Sequence, residues 1–308
     1  MCIASESDTF KPADEALVAV AERRVIVELQ NIPPSFMSRV QEQKLGAALA
    51  TEPDDFEGGE NEKIKGEVSM AQLANLKVIS SVLNSNSEPG DFEMLIRHIV
   101  TGGQVVAESR EKAYCRQFLL AISNLLPIGC IKLATYKEQY MPEYSTRFNL
   151  IGGPHNMDIP LEVSDVMVFR ITPRDSVSVC DENTSLADCC IEVRRRPEKE
   201  GVKGAQPQIV SRYVDLLLDP DVKDTILETT LRSTREGWMS KAKICYQMKN
   251  QLPASDIFKH ITGCSVEDRQ VVLYWTAGLS NAYKQHVLTT IQQAKAATAA
   301  VSNNSTNH

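Results

Sequence analysis

The sequence lacks the signatures of most familiar chemistries. No G-x-x-x-x-G-K-[ST] and no G-x-G-x-x-G occurs, so nucleotide binding through either phosphate loop is excluded. Gly58-Gly59 sits among carboxylates that repel phosphate. No C-x-x-C and no H-x-x-x-H is present, and the paired spacings of a zinc site are therefore missing. Long apolar runs are missing too. The stretch Phe118 to Ile128 is interrupted by Ser123 and Asn124 and stopped by Pro127, far short of the ~20 residues that cross a bilayer. Met1 to Asp8 is polar and acidic, without the basic flank and apolar stretch of a secretory leader. No cofactor, no metal and no integral membrane association is expected.

What is there is ordinary globular material. Of 308 residues, 43% are hydrophobic and 24% charged, enough to build a core and keep it soluble. The net charge of -7 argues against polyphosphate binding over the whole surface, so any such contact must come from a local basic patch. Eight cysteines at irregular spacing, with no export signal, read as reduced thiols buried as small hydrophobes. The expected location is the cytoplasm, or the host cytoplasm for a viral protein, with the nucleus open as an alternative.

Local patterning divides the chain. Residues 1–130 read as mainly helical, with a first strand from Arg24 to Asn31 and an acidic loop over 51–67 that has too little apolar surface to offset its ordering entropy. Ser69 to Gln72 reads as a capping box before an apolar face of Leu73, Leu76, Ile79 and Leu83. After Pro89-Gly90, Asp91 is positioned to cap a second helix burying Leu95, Ile96 and Ile99. A third, from Ser109 to Leu126, turns Tyr114, Phe118, Ile122 and Leu125 inward. Residues 131–252 read as an antiparallel β domain. Val166 to Ile171, Val177 to Cys180, Cys190 to Arg194, Ile209 to Leu218 and the alternating Lys241 to Lys249 have the period of strands. No regular βαβ alternation is visible. Residues 253–298 form a C-terminal helical region, with one long helix starting near Ser265, and 299–308 a disordered tail. The expected fold class is α+β: a helical N-terminal part, an antiparallel β-sandwich-like middle and a long C-terminal helix.

Candidate sites are few. Arg194, Arg195 and Arg196 open a loop continuing through Lys199 and Lys203, with a local charge of about +3 suited to RNA phosphate or an acidic protein partner. Trp275, Leu279 and Tyr283 lie on one stripe at helical spacing and are candidates for an oligomer interface, because aromatics anchor interfaces. The simpler roles are a solvated strand end for the first group and packing on the chain's own core for the second. Cys189-Cys190 offers a thiol nucleophile without a flanking histidine signature. Asp188 and Glu192-Val193-Arg194 faintly resemble a metal-dependent nuclease pattern, with arginine at the lysine position. Asp219-Pro220-Asp221 reads as a turn.

No catalytic constellation emerges. The leading reading is a non-enzymatic protein that self-associates or binds another protein, with accessory RNA contact through the basic loop. Its layout is shared by assembly proteins, viral capsid, matrix and cell-to-cell movement proteins among them, by fold-level analogy. The alternatives are a motif-poor hydrolase based on cysteine or carboxylate, and an RNA-binding protein proper.

Overall fold

A computed structural model describes residues 69–85, 88, 90–174, 185–197, 206–247, 259, 262–290 and 293. The expected strands Arg24 to Asn31 and Val177 to Cys180, the acidic loop 51–67 and the tail 299–308 lie outside them.

The first three helices follow their apolar period. Helix α1 (Met70–Ser85) buries Leu73, Leu76, Ile79 and Leu83 completely, and the Gln72 N–H donates to Ser69 Oγ at 3.2 Å. Helix α2 (Asp91–Val100) buries Leu95, Ile96 and Ile99. Its N-cap is Gly90 at φ 98° rather than Asp91, which is the first helical residue and is itself buried. Helix α3 (Lys112–Ser123) turns Tyr114, Phe118 and Ile122 inward, and the chain leaves it before Pro127, which cannot continue a helix.

Between α2 and α3 runs strand β1 (Gln104–Glu108), for which the sequence shows no alternation because all five residues are buried. A strand covered on both faces loses the in-out pattern. Gly102, at φ 92°, makes the turn into it, a conformation that costs other residues more than glycine. Strands β2 (Leu133–Ala134) and β3 (Leu150–Gly153) follow, with the short helix α4 (Tyr144–Arg147) between them, then β4 (Val166–Pro173) and β5 (Cys189–Arg195). The sheet order is β2-β3-β1-β4-β5. β1 pairs in parallel with β3 and β4, β3 in parallel with β2, and only β5 is antiparallel, against β4.

The molecule is therefore α+β, with helices and a mixed five-stranded sheet. The middle expected as an antiparallel, sandwich-like unit is instead part of this one mixed sheet, in which only the β4–β5 pairing is antiparallel, because helices cross between its parallel neighbours; two segments expected as strands are helices. Gln208–Leu218 is helix α5, burying Ile209, Val210, Tyr213 and Leu217. Lys241 to Gln247 is the end of helix α6 (Asp224–Gln247), which buries Leu227, Leu231, Thr234, Trp238, Ala242 and Cys245. Both sets recur at three and four residues, the helical spacing. The C-terminal region is helical but broken. Helix α7 (Arg269–Ala277) stops at Gly278, and helix resumes over 281–290, where Ser280 Oγ accepts the Tyr283 N–H. Gly278 is pressed against the loop after α3: a Cβ on Gly129 would lie 1.9 Å from the Gly278 carbonyl oxygen.

The sheet's two faces are covered differently. Val105, Ala107, Leu150, Met167, Phe169, Ile171 and Ile191 join the helices in the main core. Val106, Ile151, Val166 and Val168 meet Met157 and a half-buried group from 140–163 that includes Tyr140, Tyr144 and Phe148.

Candidate functional site

The basic run begins on β5 and is mostly engaged within the protein. Arg196 makes a two-pronged contact with Asp91 at the start of α2, Nε–Oδ1 2.8 Å and Nη2–Oδ2 2.9 Å, and Asp91 is only 1% exposed. Two planar groups matched in this way form a strong, directional pair. Arg195 donates to the carbonyls of Pro160, Leu161 and Val163, the last at 2.8 Å, and straps that loop to the sheet. Arg194 is the exposed member of the three. Lys199 and Lys203 lie outside the described residues.

The aromatic stripe also turns inward at its first members. Trp275 is fully buried, stacks edge-on against Trp238 with ring centroids 6.2 Å apart, and donates its indole N–H to Val100 O at 3.1 Å. Leu279 is 4% exposed and packs with Tyr246 and Val287. Tyr283 is half-buried over the same small cluster, with its hydroxyl 3.4 Å from Lys243 O. A side chain without exposed surface adds nothing to an interface beyond holding its own core.

Thiol and carboxylate chemistry gain no support from the geometry. Strand alternation buries Cys189 and exposes Cys190, whose sulfur lies 3.8 Å from Glu192 Oε1. Burial pushes the Cys115, Cys130 and Cys245 thiols up to about 12 and raises Cys264 as well, so these four stay protonated and inert at neutral pH. Asp188 and Glu192 are exposed. Among the described residues no group of three or more His, Cys, Asp and Glu is placed to hold a metal ion.

Two places collect polar side chains. At the C-terminal ends of the parallel strands, Glu108 and its register partner Arg170 sit side by side on the loop face. Glu108 is 3% exposed, accepts the Asn156 N–H at 3.2 Å, and lies 3.9 Å from Arg170 Nη2. Arg170 also donates to Asn156 Oδ1, and Asn156 adopts φ 62°. These bonds close the strand ends with the chain's own 153–157 turn.

The second place is a recess of about 590 Å³ between α5 and α6, open to solvent and lined by Ser211, Arg212, Asp215, Leu216, Asp219 and Thr230 among others. Arg212 and Asp215 lie at helical spacing on one face of α5, Asp219 follows its last residue in extended backbone, and all three are exposed. Asp219 Oδ1 accepts the Asp221 N–H at 2.9 Å, the turn expected of Asp219-Pro220-Asp221. The lining from Arg212 and Thr230 escapes a reading of these segments as strands, because it exists only when both are helices. The signal that would have shown it is the spacing Leu227, Leu231, Thr234, Trp238.

Residues 71–288, nearly the whole described body, match the model of the folliculin C-terminal domain. The chain belongs to the folliculin C-terminal domain family. Folliculin from Bos taurus is 26% identical over 302 residues, covering 91% of this chain and 51% of the relative. Folliculin from Rattus norvegicus is 26% identical over 242 residues, covering 74% and 40%, and that from Homo sapiens 25% over 213 residues, covering 65% and 36%. The chain thus spans about half the length, or less, of these folliculins. These folliculins are proteins of cellular organisms. This membership overturns two expectations: the chain is not a viral capsid, matrix or movement protein, and the RNA-binding reading falls with it. The physical reason for the second is on β5, where two of the three arginines that were to meet phosphate are already bonded within the fold. Among the described residues, no helix is long and apolar enough to cross a membrane.

Proposed function

We propose that this chain is a protein-binding regulatory module of the folliculin type, acting on small GTPases of the Rag and Rab classes and working by contact rather than by bond-making of its own. One observation carries the reading: the family match runs over residues 71–288, so it takes in every strand of the sheet and the helices packed on it. The described surface is consistent with this role. It includes an open recess between α5 and α6. By the same reasoning, its place is with folliculin homologues in the cytoplasm and at the lysosome.

The test uses the full chain and a panel of purified Rag and Rab GTPases loaded with a fluorescent guanine nucleotide. The expected result is co-elution with at least one member and a changed rate of nucleotide release or hydrolysis. A panel that neither co-elutes nor changes its rate overturns the assignment.

A further inference from the structure

We propose that the chain's own N-terminal segment, Glu22 to Val27, docks as an added antiparallel strand along the outer edge of β5. β5 ends the sheet, and among the described residues no strand lies beyond it. Its pairing with β4 engages the backbone groups of alternate residues only. The others face away from the sheet, in a row that native sheets pair, cover or charge. The side chains of β5 alternate as well. Cys189 and Ile191 are buried in the helix-side core, whereas Cys190, Glu192 and Arg194 are exposed. Among the described residues neither Glu192 nor Arg194 is in an ion pair.

Charge and apolar pattern select both the occupant and its register. With Arg24 opposite Glu192 in an antiparallel pair, Val25 falls opposite Ile191, Ile26 opposite Cys190 and Val27 opposite Cys189. The valines then extend the helix-side core. Glu22 comes to Arg194, which has no register partner on β4, because Val168 pairs with Arg195 and Phe169 with Val193. Opposite charges thus meet at two positions, an arrangement that stabilises neighbouring strands. A slip of two residues sets Arg24 against Arg194 in one direction and Glu22 against Glu192 in the other. A slip of one turns the charges onto the core face. A parallel strand with Val25 opposite Ile191 sets Ile26 against Glu192 and leaves Arg24 without an acid. The connection is long enough. Pro33-Pro34 stops the ladder, and residues 32–68 lead to α1, a length whose flexible span is about 36 Å. Helix α1 begins close to β5: Asn75 Oδ1 accepts the Leu186 N–H at 3.0 Å, and Met70 precedes Asn75 by about 7.5 Å of helix rise. Tethered on the same chain, the strand acts at high effective concentration, and it closes the edge to any partner that binds by strand addition.

The test is hydrogen exchange of the full chain, resolved to single amides. In the parent, the outward-facing amides of Cys189 to Val193 are expected to be protected along with those that face β4, and alternate amides of Glu22 to Val27 with them. Val25→Pro with Val27→Pro removes the donors of the added strand. Exchange of the outward amides of β5 should then speed up at least ~10-fold, while the amides facing β4 and those of α1 and α3 keep their protection, which shows that the body is still folded. Arg24→Glu should loosen the same outward amides, and Glu192→Arg in the same chain should restore them. Outward amides that exchange freely in the parent, or that ignore the prolines, overturn the proposal. So does protection that rises with protein concentration, the mark of a second copy on the edge. The GTPase panel has no bearing on this result, so the regulatory reading and the added strand stand or fall separately.

Discussion

The helix-covered and loop-covered faces of the same sheet are held by different forces. On the helix side, β1 and β4 contribute Val105, Ala107, Met167, Phe169 and Ile171 to a core shared with α1, α2, α3, α5, α6 and α7. Attachment there is by apolar volume. On the loop side, among the described residues, only Val106, Ile151, Met157, Val166 and Val168 are buried apolar residues, and the covering segment is tied down by side chains gripping backbone carbonyls. Gln104 donates to Tyr144 O and Phe148 O at 2.8 and 2.7 Å while accepting from the Tyr140 hydroxyl at 2.6 Å. Arg195 does the same for Pro160, Leu161 and Val163. A helix satisfies its own backbone and needs only an apolar face to dock, whereas a loop brings unpaired carbonyls that must be bonded from outside. One sheet thus carries a rigid side and a side whose order depends on a few polar groups.

The largest effect that tests this contrast is on the helix side. Phe169 is fully buried, with its ring 5.1 Å from that of Phe118, so Phe169→Ala should cost about 3–5 kcal/mol and lower the global denaturation midpoint as one cooperative step. If local loosening around β4 occurs without a global shift, the helix face is not the common core described above. Next is the Asp91–Arg196 pair, which joins the two systems by tying the end of β5 to α2. Arg196→Met should cost about 3 kcal/mol, because it strands a buried carboxylate; Asp91→Asn with Arg196→Met together should cost less than Arg196→Met alone. Equal losses in the single and double variants would show that the pair is not coupled. On the loop side, Gln104→Leu should cost about 2 kcal/mol, but with a different signature. Hydrogen exchange should speed up across 136–163 while the amides of α1 and α3 keep their protection, the mark of local rather than global opening.

How much of this was legible in the sequence follows from the same contrast. The three N-terminal helices could be read because Ser69, Gly90 and Pro127 punctuate them and Leu73, Leu76, Ile79 and Leu83 repeat at helical spacing. β4 and β5 could be read from their β-branched runs. β1 and β3 could not: Gln104–Glu108 and Leu150–Gly153 are five and four residues long and buried throughout, so they show no alternation, and glycines end β3. Helix α6 misled because Lys241 to Lys249 alternates over a short window, while the deciding period begins at Leu227. The basic run was visible as charge, but its partner Asp91 lies 105 residues earlier, and no local pattern announces that. The exposed face of α5 was hidden for a related reason: Arg212 and Asp215 share a face only in a helix.

The smallest expected effect separates burial from hydrogen bonding in the core under the sheet. Cys115 lies beneath β1 and donates to Ala107 O at 3.1 Å; burial raises its pKa from 9.0 to about 12 and outweighs the backbone groups of Gly153 and Ser109, which act to lower it. In the unfolded chain the thiol ionises near its ordinary value, so between these limits the unfolded state releases a proton that the folded state keeps. Stability from this group is complete below pH 9 and is lost as pH rises toward 12, a penalty of about 1 kcal/mol by pH 10. Urea midpoints at pH 8 and pH 10 should therefore differ less in Cys115→Ala than in the parent chain, even though the variant starts less stable. A pH dependence identical in the two would mean that the sulfur is wetter than its place in the core allows, and that the helix face of the sheet admits water where only apolar contact is described.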